Sequence, residues 1–523
     1  MLINQSFEID SCDDVELNIK RTSKLEYRIS YDDEKEIKAI VFIIGGYGAN
    51  ANIYFLDSYR NYIAKNFDVV AVHVFYHCFC QRRSDVEKYS TLADFTKDDL
   101  KLIEKVLRKY NIPCDQLANN TVVSHCEYLS EIMTELKMLN RLPYDFEERL
   151  SATFIPSRGE YQNFGIMAAI DHINALKDLV KRFPKLADLP KIYGGGSYGG
   201  YLALLIAKIA PWYVDGVIDN SGSAVPPLNY IIGRELEFKS KDTNGDMYMQ
   251  GDHFFVSCFL KTHWTRKENS PYFFNNENYF IRTLLNKDHL ILQSQKNKNI
   301  IYVSYHSDKD PLTPANFKQQ TMQILKILGY DVSLNLIDEN KIDGKFIKNL
   351  DHGCGIPDKA LFRKELPLML EKLQKRKSFM QENSPYFFNN ENYFIRTLLN
   401  KDHLILQSQK NKNIIYVSYH SKEDPLTPAN FKELTMQILK ILGYDVSLNL
   451  IDENKIDGKF IKNLDHGCGI PDKALFRKEL PLMLEKLQKR KSFMQENSIS
   501  YPCGNKVFIF KDVGDKFELV IKD

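Results

Sequence analysis

The sequence predicts an α/β fold: a doubly wound, mostly parallel sheet with an N-terminal antiparallel hairpin, cap insertions and a duplicated C-terminal αβ segment. Three observations predict it. Short continuous apolar runs, of the kind buried on both faces of a sheet, recur along the chain. A glycine-rich turn stands between one such strand and an apolar helix. Residues 268 to 381 recur almost letter for letter at 382 to 495.

Taken in order, residues 6 to 31 hold two alternating stretches, FEIDSCDDVELNI and KLEYRISY, which predict the opening hairpin. AIVFII (39 to 44) is a buried-type strand that breaks at Gly45, Gly46, Tyr47 and Gly48, and VVAVHVF (69 to 75) is a second. The polar stretch from about 81 to 155 has no clear place in a sheet and reads as an insertion. Ile166, Ala169, Ile170, Ile173, Leu176 and Val180 then fall on one helical face. The strand KIY leads into Gly194-Gly195-Gly196-Ser197-Tyr198-Gly199-Gly200, followed by the helix YLALLIAKIA, the breaker Pro211 and the strand VDGVID.

Residues 226 to 298, rich in Phe, Tyr, Asn and Lys with weak periodicity, read as a cap. Their aromatics, Phe254, Phe255, Phe259 and Trp264 among them, are more often core than pocket. IIYVSY (300 to 305) and VSLNLI (332 to 337) are further strands. Thr313-Pro314 begins a helix with proline at its first position, Gly329 stops it, and PDKALFRKEL begins a last helix after Asp351-His352-Gly353.

The repeat has a constant offset of 114 and differs only at 308/422, 309/423, 319/433 and 320/434. Such identity is a recent duplication, not a solenoid of drifted units. The organisation is therefore one domain over 1–381, with insertions at about 81–155 and 226–298. A duplicate follows over 382–495, then a β tail over 496–523. The displaced copy must cover its apolar faces by extending the sheet, by forming a loose appendage, or by swapping into a homo-dimer.

Composition narrows the function classes. Apolar residues make up 44% and charged residues 26% of 523, ordinary for a globular chain. The net charge of +2 supplies no field for nucleic acid or a membrane surface, so neither is expected as a partner. The N-terminus lacks a basic-then-apolar signal, and no window reaches the ~18 apolar residues a spanning helix needs. A cytoplasmic location is the expectation, and nine cysteines, an odd number, fit reduced thiols.

Chemistry concentrates at Gly195-Gly196-Ser197-Tyr198-Gly199, a G-x-S-x-G turn between strand and helix. A serine there sits on a strained elbow that only small neighbours permit, and a helix N-terminus favours developing negative charge. A free serine hydroxyl is a poor nucleophile, so an acid and a histidine must follow it. Asp310 and His352 come after successive strands in that chain order, with Asp219 an alternative acid. The second copy carries the alternative pair Asp424 and His466, and only one pair can serve Ser197. Copy one follows directly on the VDGVID strand, whereas copy two directly precedes the tail. The amides of Tyr47, after Gly45-Gly46, and of Tyr198 are the expected oxyanion donors.

These motifs resemble those of an α/β-hydrolase. GGSYGG, then YHSDKDPLTP, then LDHGCG, are similar to the nucleophile, acid and histidine loops of the prolyl-oligopeptidase group and related esterases, over roughly residues 1 to 381. The resemblance implies a serine hydrolase acting on a small-molecule ester without cofactor or metal. The missing propeller domain argues against peptide substrates. The chain also resembles an uncharacterised bacterial family linked to flagellin glycosylation loci, which implies an acyl or acetyl ester on an activated sugar. The same triad serves an acyltransferase, and a spoiled geometry leaves a binding module. Gly194, Gly196 and Gly199 with Asp219 also spell a dinucleotide fingerprint, which leaves Asp310, His352 and Gly45-Gly46 unexplained. His73, His77, Cys78 and Cys80, with His125 and Cys126 further on, look metal-like, but they lack a C-x-x-C pair and read as buried strand residues.

Overall fold

The computed structural model describes residues 1–46, 53–79, 87–232, 235, 247–250, 252–382, 415–424, 429–441, 444–465, 468, 470–471, 474–475, 477–482 and 497–523. The fold is mixed α/β, in two compact units. The first comprises Met1–Ala187, Ser197–Leu202 and Val225–Thr283, and the second Asp188–Gly196, Ala203–Ala224 and Leu284–Asp523.

In the first unit, strands Leu2–Ile9 and Leu25–Asp32 pair antiparallel, Leu2 opposite Asp32. Leu25–Asp32 pairs antiparallel with Val69–Phe75, which runs parallel to Ala39–Ile44. Every residue of Ala39–Ile44 and Val69–Phe75 is buried, as their apolar composition, broken only by His73, favours. The opening hairpin begins earlier than the alternation predicts. Asp14 accepts the amides of Glu16 and Leu17 at 3.1 and 3.2 Å, turning the chain where FEIDSCDDVELNI suggests strand.

A second sheet lies where the sequence predicts featureless insertions. Thr91–Asp94, Glu148–Pro156, Phe254–Leu260 and Met247–Gln250 form four strands in that order, the middle pair parallel. Helices Lys97–Lys109 and Val122–Met138 accompany it, and Leu150 joins their core of Ile103, Val106, Leu107, Leu129 and Met133. Buried Ser151 and Thr153 give the 148–156 strand its polar look. Both donate to the carboxylate of Asp99, at 2.5 and 2.6 Å.

In the second unit, Lys191–Gly196, Gly216–Asn220, Ile301–Ser307 and Asp331–Ile337 lie side by side, all parallel. Their carboxyl ends share one edge, so Gly196, Asn220, Ser307 and the loops that follow gather there. Helix Ala315–Ile327 has Pro314 at its N-cap, one place before the predicted position. The tail forms an antiparallel meander, Ser498–Cys503, Lys506–Val513 and Lys516–Lys522. It docks through Tyr501, whose hydroxyl donates to the Lys208 carbonyl at 2.5 Å, and through His289 Nε2, 3.0 Å from the Pro502 carbonyl. His289 belongs to the first copy of the repeat. Among the described residues of the second copy, Ile415–Ser421 pairs with Asp445–Ile451 in a separate two-stranded sheet. No helix among the described residues is long and apolar enough to cross a membrane.

Candidate active site

The strand Lys191–Gly196 passes into the helix Tyr198–Ile209 through Ser197 alone. Ser197 takes a left-handed backbone, φ 54°, and its carbonyl accepts the Tyr201 amide at 3.0 Å. A side chain in that region costs about 1 kcal/mol or more, which persists only where the surroundings enforce it. Close packing does so here. A Cβ on Gly199 stands 2.1 Å from the carbonyl oxygen of Ile44, at the end of the Ala39–Ile44 strand and beside Gly45. A Cβ on Gly196 stands 2.6 Å from Asp358 Oδ1. Gly195 lies in the strand, opposite Asp219. The Tyr198 ring is buried between Phe164 and Tyr201, 5.2 and 5.9 Å away. Gly45 and Gly46 end the strand as expected, whereas Tyr47 lies outside the described residues.

In the second unit Asp310 and His352 come together. His352 Nδ1 is 3.1 and 2.9 Å from the two Asp310 oxygens. The carboxylate also accepts the amides of Leu312 and Thr313, each at 2.9 Å, and the Thr313 hydroxyl at 2.8 Å. Burial alone raises this carboxyl, but His352 and the two amides outweigh it and hold its pKa down at about 2. With Nδ1 committed to the carboxylate, His352 Nε2 is the remaining ring nitrogen; it is buried and has no hydrogen-bond partner among the described residues.

Three polar residues the sequence does not single out shape the histidine loop. Asn220 donates to the carbonyls of Gly353 and Ile356 at 3.1 and 3.2 Å. Ser221, itself left-handed at φ 56°, accepts the Gly353 amide at 3.1 Å, and Ser307 donates to the Leu350 carbonyl at 2.6 Å. A fourth, His306, lies on the far side of the acid, with Nε2 2.8 Å from the Thr313 carbonyl and 3.9 Å from Asp310. Burial and nearby Lys318 lower its pKa. A fifth is Asp358, half-buried at the start of the last helix. Desolvation pushes its pKa up to about 6 against the Gly196 amide that it accepts.

Asp219, the alternative acid, is committed elsewhere. It accepts Lys318 at 2.5 Å, Ser304 at 2.6 Å and the Gly222 amide at 2.8 Å, with both members of the ion pair wholly buried. An acid so enclosed does not reach a ribose either, which removes the dinucleotide reading its anchor. Asp424 of the second copy is buried, 3.8 Å from His420 Nδ1, and His466 lies outside the described residues.

The metal-like residues scatter. His73 Nδ1 is 3.0 Å from the Ile43 carbonyl and His125 Nδ1 is 2.8 Å from that of Thr121. Burial drives His73 and His77 down to about 3. Among the described residues no three His, Cys, Asp or Glu side chains are grouped to hold a metal ion; Cys80 lies outside them.

A family model described as "Protein of unknown function (DUF2920)" matches residues 5–384 and again 381–521. No curated protein matches the sequence. Among solved structures the chain is similar to acylaminoacyl peptidase of Pyrococcus horikoshii, at 14% identity and a TM-score of 0.36, covering 76% of this chain and 44% of that one. It is also similar to a fungal esterase of Rhizomucor miehei (11% identity, TM-score 0.36, 73% and 86% covered). A third is S-formylglutathione hydrolase of Agrobacterium tumefaciens (12% identity, TM-score 0.34, 71% and 96% covered). The chain spans less than half the length of the acylaminoacyl peptidase structures it matches.

Proposed function

We propose that this chain, which belongs to the DUF2920 family over nearly its whole length, is a serine hydrolase that cleaves a carboxylic ester through an acyl-enzyme. The observation that carries the reading is Ser197 held left-handed, at φ 54°, between a strand and a helix. A non-glycine residue is kept in that conformation at a strand-to-helix turn when its hydroxyl must stand clear of its neighbours. The Asp310–His352 pair, with Nε2 unpartnered among the described residues, supports it.

In this reading His352 Nε2 takes the proton of Ser197 as Oγ bonds to the ester carbonyl carbon. Asp310 holds the resulting imidazolium, and the Tyr47 and Tyr198 amides receive the oxyanion. The tetrahedral adduct expels the alcohol, protonated by His352, and water repeats the sequence to release the acid. The substrate class is an acyl or acetyl ester of a small molecule or sugar.

A fluorophosphonate probe tests this. It should label the wild type and fail on Ser197→Ala, and His352→Ala should slow labelling by about 10³-fold or more. Labelling that persists in Ser197→Ala, or a wild type that does not label, ends the proposal.

A further inference from the structure

The second copy repeats the internal structure of the first. Ile415 lies opposite Asp445 as Ile301 lies opposite Asp331. The Tyr419 hydroxyl donates to Glu479 at 2.6 Å, and Tyr305 to Glu365 at the same distance. Lys478 stands 4.3 Å from the Phe460 ring centre, as Lys364 does from Phe346. Among the described residues of the histidine loop, Cys468 keeps its turn and is left-handed at φ 56°, against 55° at Cys354. The same two backbone bonds close it, Lys462 N–H to Cys468 C=O at 3.1 Å and Cys468 N–H to Asp465 C=O at 2.8 Å. This turn therefore forms while Asn220 and Ser221 are engaged by the first copy.

The copies differ where it matters least. Asp308, Lys309, Gln319 and Gln320, the first copy's residues at the four differing positions, are all exposed. What the chain has once is the place they compete for. It consists of the edge of strand Gly216–Asn220, the buried carboxylate of Asp219, and Asn220 with Ser221. Lys318 fills it in this structure and is wholly buried; its counterpart Lys432 is half-buried.

We propose that either copy can pair with the Gly216–Asn220 strand, so that the second copy, with Lys432 on Asp219 and Asp424 as acid, is a working substitute for the first. Both arrangements bury the same side chains and leave out a segment of equal length. An exposed substitution shifts such an equilibrium by about twofold, so four leave the two states within roughly sixteenfold of each other. The first copy is synthesised first, which favours the arrangement seen.

The test uses the full-length chain and thermal unfolding of Lys318→Met, Lys432→Met and the double variant. Each single variant should melt near the wild type, because the intact copy supplies the missing ammonium. The double variant leaves Asp219 buried without a cation and should melt about 10 °C lower or fail to fold. A Lys318→Met midpoint as low as that of the double variant overturns the proposal, as does a double variant that melts with the singles. A second arm rests on the hydrolase reading. Probe labelling of Asp310→Ala should fall to about a tenth, and that of Asp310→Ala/Asp424→Ala should vanish. Equal loss in both overturns the proposal. A wild type that does not label removes the hydrolase reading and leaves the lysine series to decide this one.

Discussion

At Ser197 the backbone strain and the crowding around it have one consequence for pH. The amide immediately before it, that of Gly196, ends on half-buried Asp358, whose pKa stands near 6 against 3.8 in an unfolded chain. The folded state therefore holds an extra proton between about pH 4 and 6. Stability contributed by this group is present below pH 4 and falls as pH rises through that window, by about 3 kcal/mol in all. Asp358→Asn keeps an acceptor for the Gly196 amide and removes the titration. Its unfolding free energy relative to wild type should rise from pH 4 to 6 in denaturant melts. A difference that stays level across that window would show that Asp358 does not ionise there. Asp310 behaves oppositely, since its lowered value makes its contribution present above pH 4 and lost only as pH falls toward 2. Ser197, Asp310 and His352 are legible in the sequence because their order and glycine neighbours are local signals. Asp358 is not legible, because its only mark is burial against a strand more than 150 residues earlier.

The elements that read correctly are those whose environment is written in their own composition. Ala39–Ile44 is apolar and buried throughout, and Val69–Phe75 and Gly216–Asn220 are buried throughout with His73, Asp219 and Asn220 as their polar members. Glu148–Pro156 is missed because two of its buried side chains are hydroxyls satisfied by Asp99, and its parallel partner, Phe254–Leu260, follows about a hundred residues later. The docking of the histidine loop has the same origin: its turn closes through its own backbone bonds in both copies, and what fastens it in the first is Asn220 and Ser221 at the end of another strand. Asn220→Ala removes a donor from the carbonyls of Gly353 and Ile356; that of Gly353 still accepts the Ile356 amide at 2.9 Å, so the Ile356 carbonyl carries the loss, about 1–3 kcal/mol for a buried orphan. The variant should lose roughly 1–3 kcal/mol in urea melts, and amide exchange should accelerate in residues 348–356. Unchanged exchange there would mean that the loop holds itself, and that Asn220 contributes stability alone.

For the whole molecule the duplication turns on the tail. In a single-copy chain the tail follows the repeat directly; here 114 further residues intervene, yet it still docks beside first-copy residues. Tyr501 reaches the Lys208 carbonyl, His289 meets Pro502, and Tyr213 donates to Asp512 at 2.6 Å. None of these contacts draws on 382–495. Removing those residues joins Gln381 to Glu496 and restores the run Gln-Glu-Asn-Ser that the chain already has at both junctions. A long loop closed by folding destabilises only slowly with its length, so its removal changes the closure entropy by about 1–2 kcal/mol at most, in the stabilising direction. The chain lacking 382–495 should therefore fold, label with the fluorophosphonate probe at the wild-type rate and melt at or slightly above the full-length midpoint. It should also aggregate less on heating, since the half-exposed face of Ile415–Ser421 is gone. A deletion that unfolds the rest would show that the second copy has become structural support and not a spare.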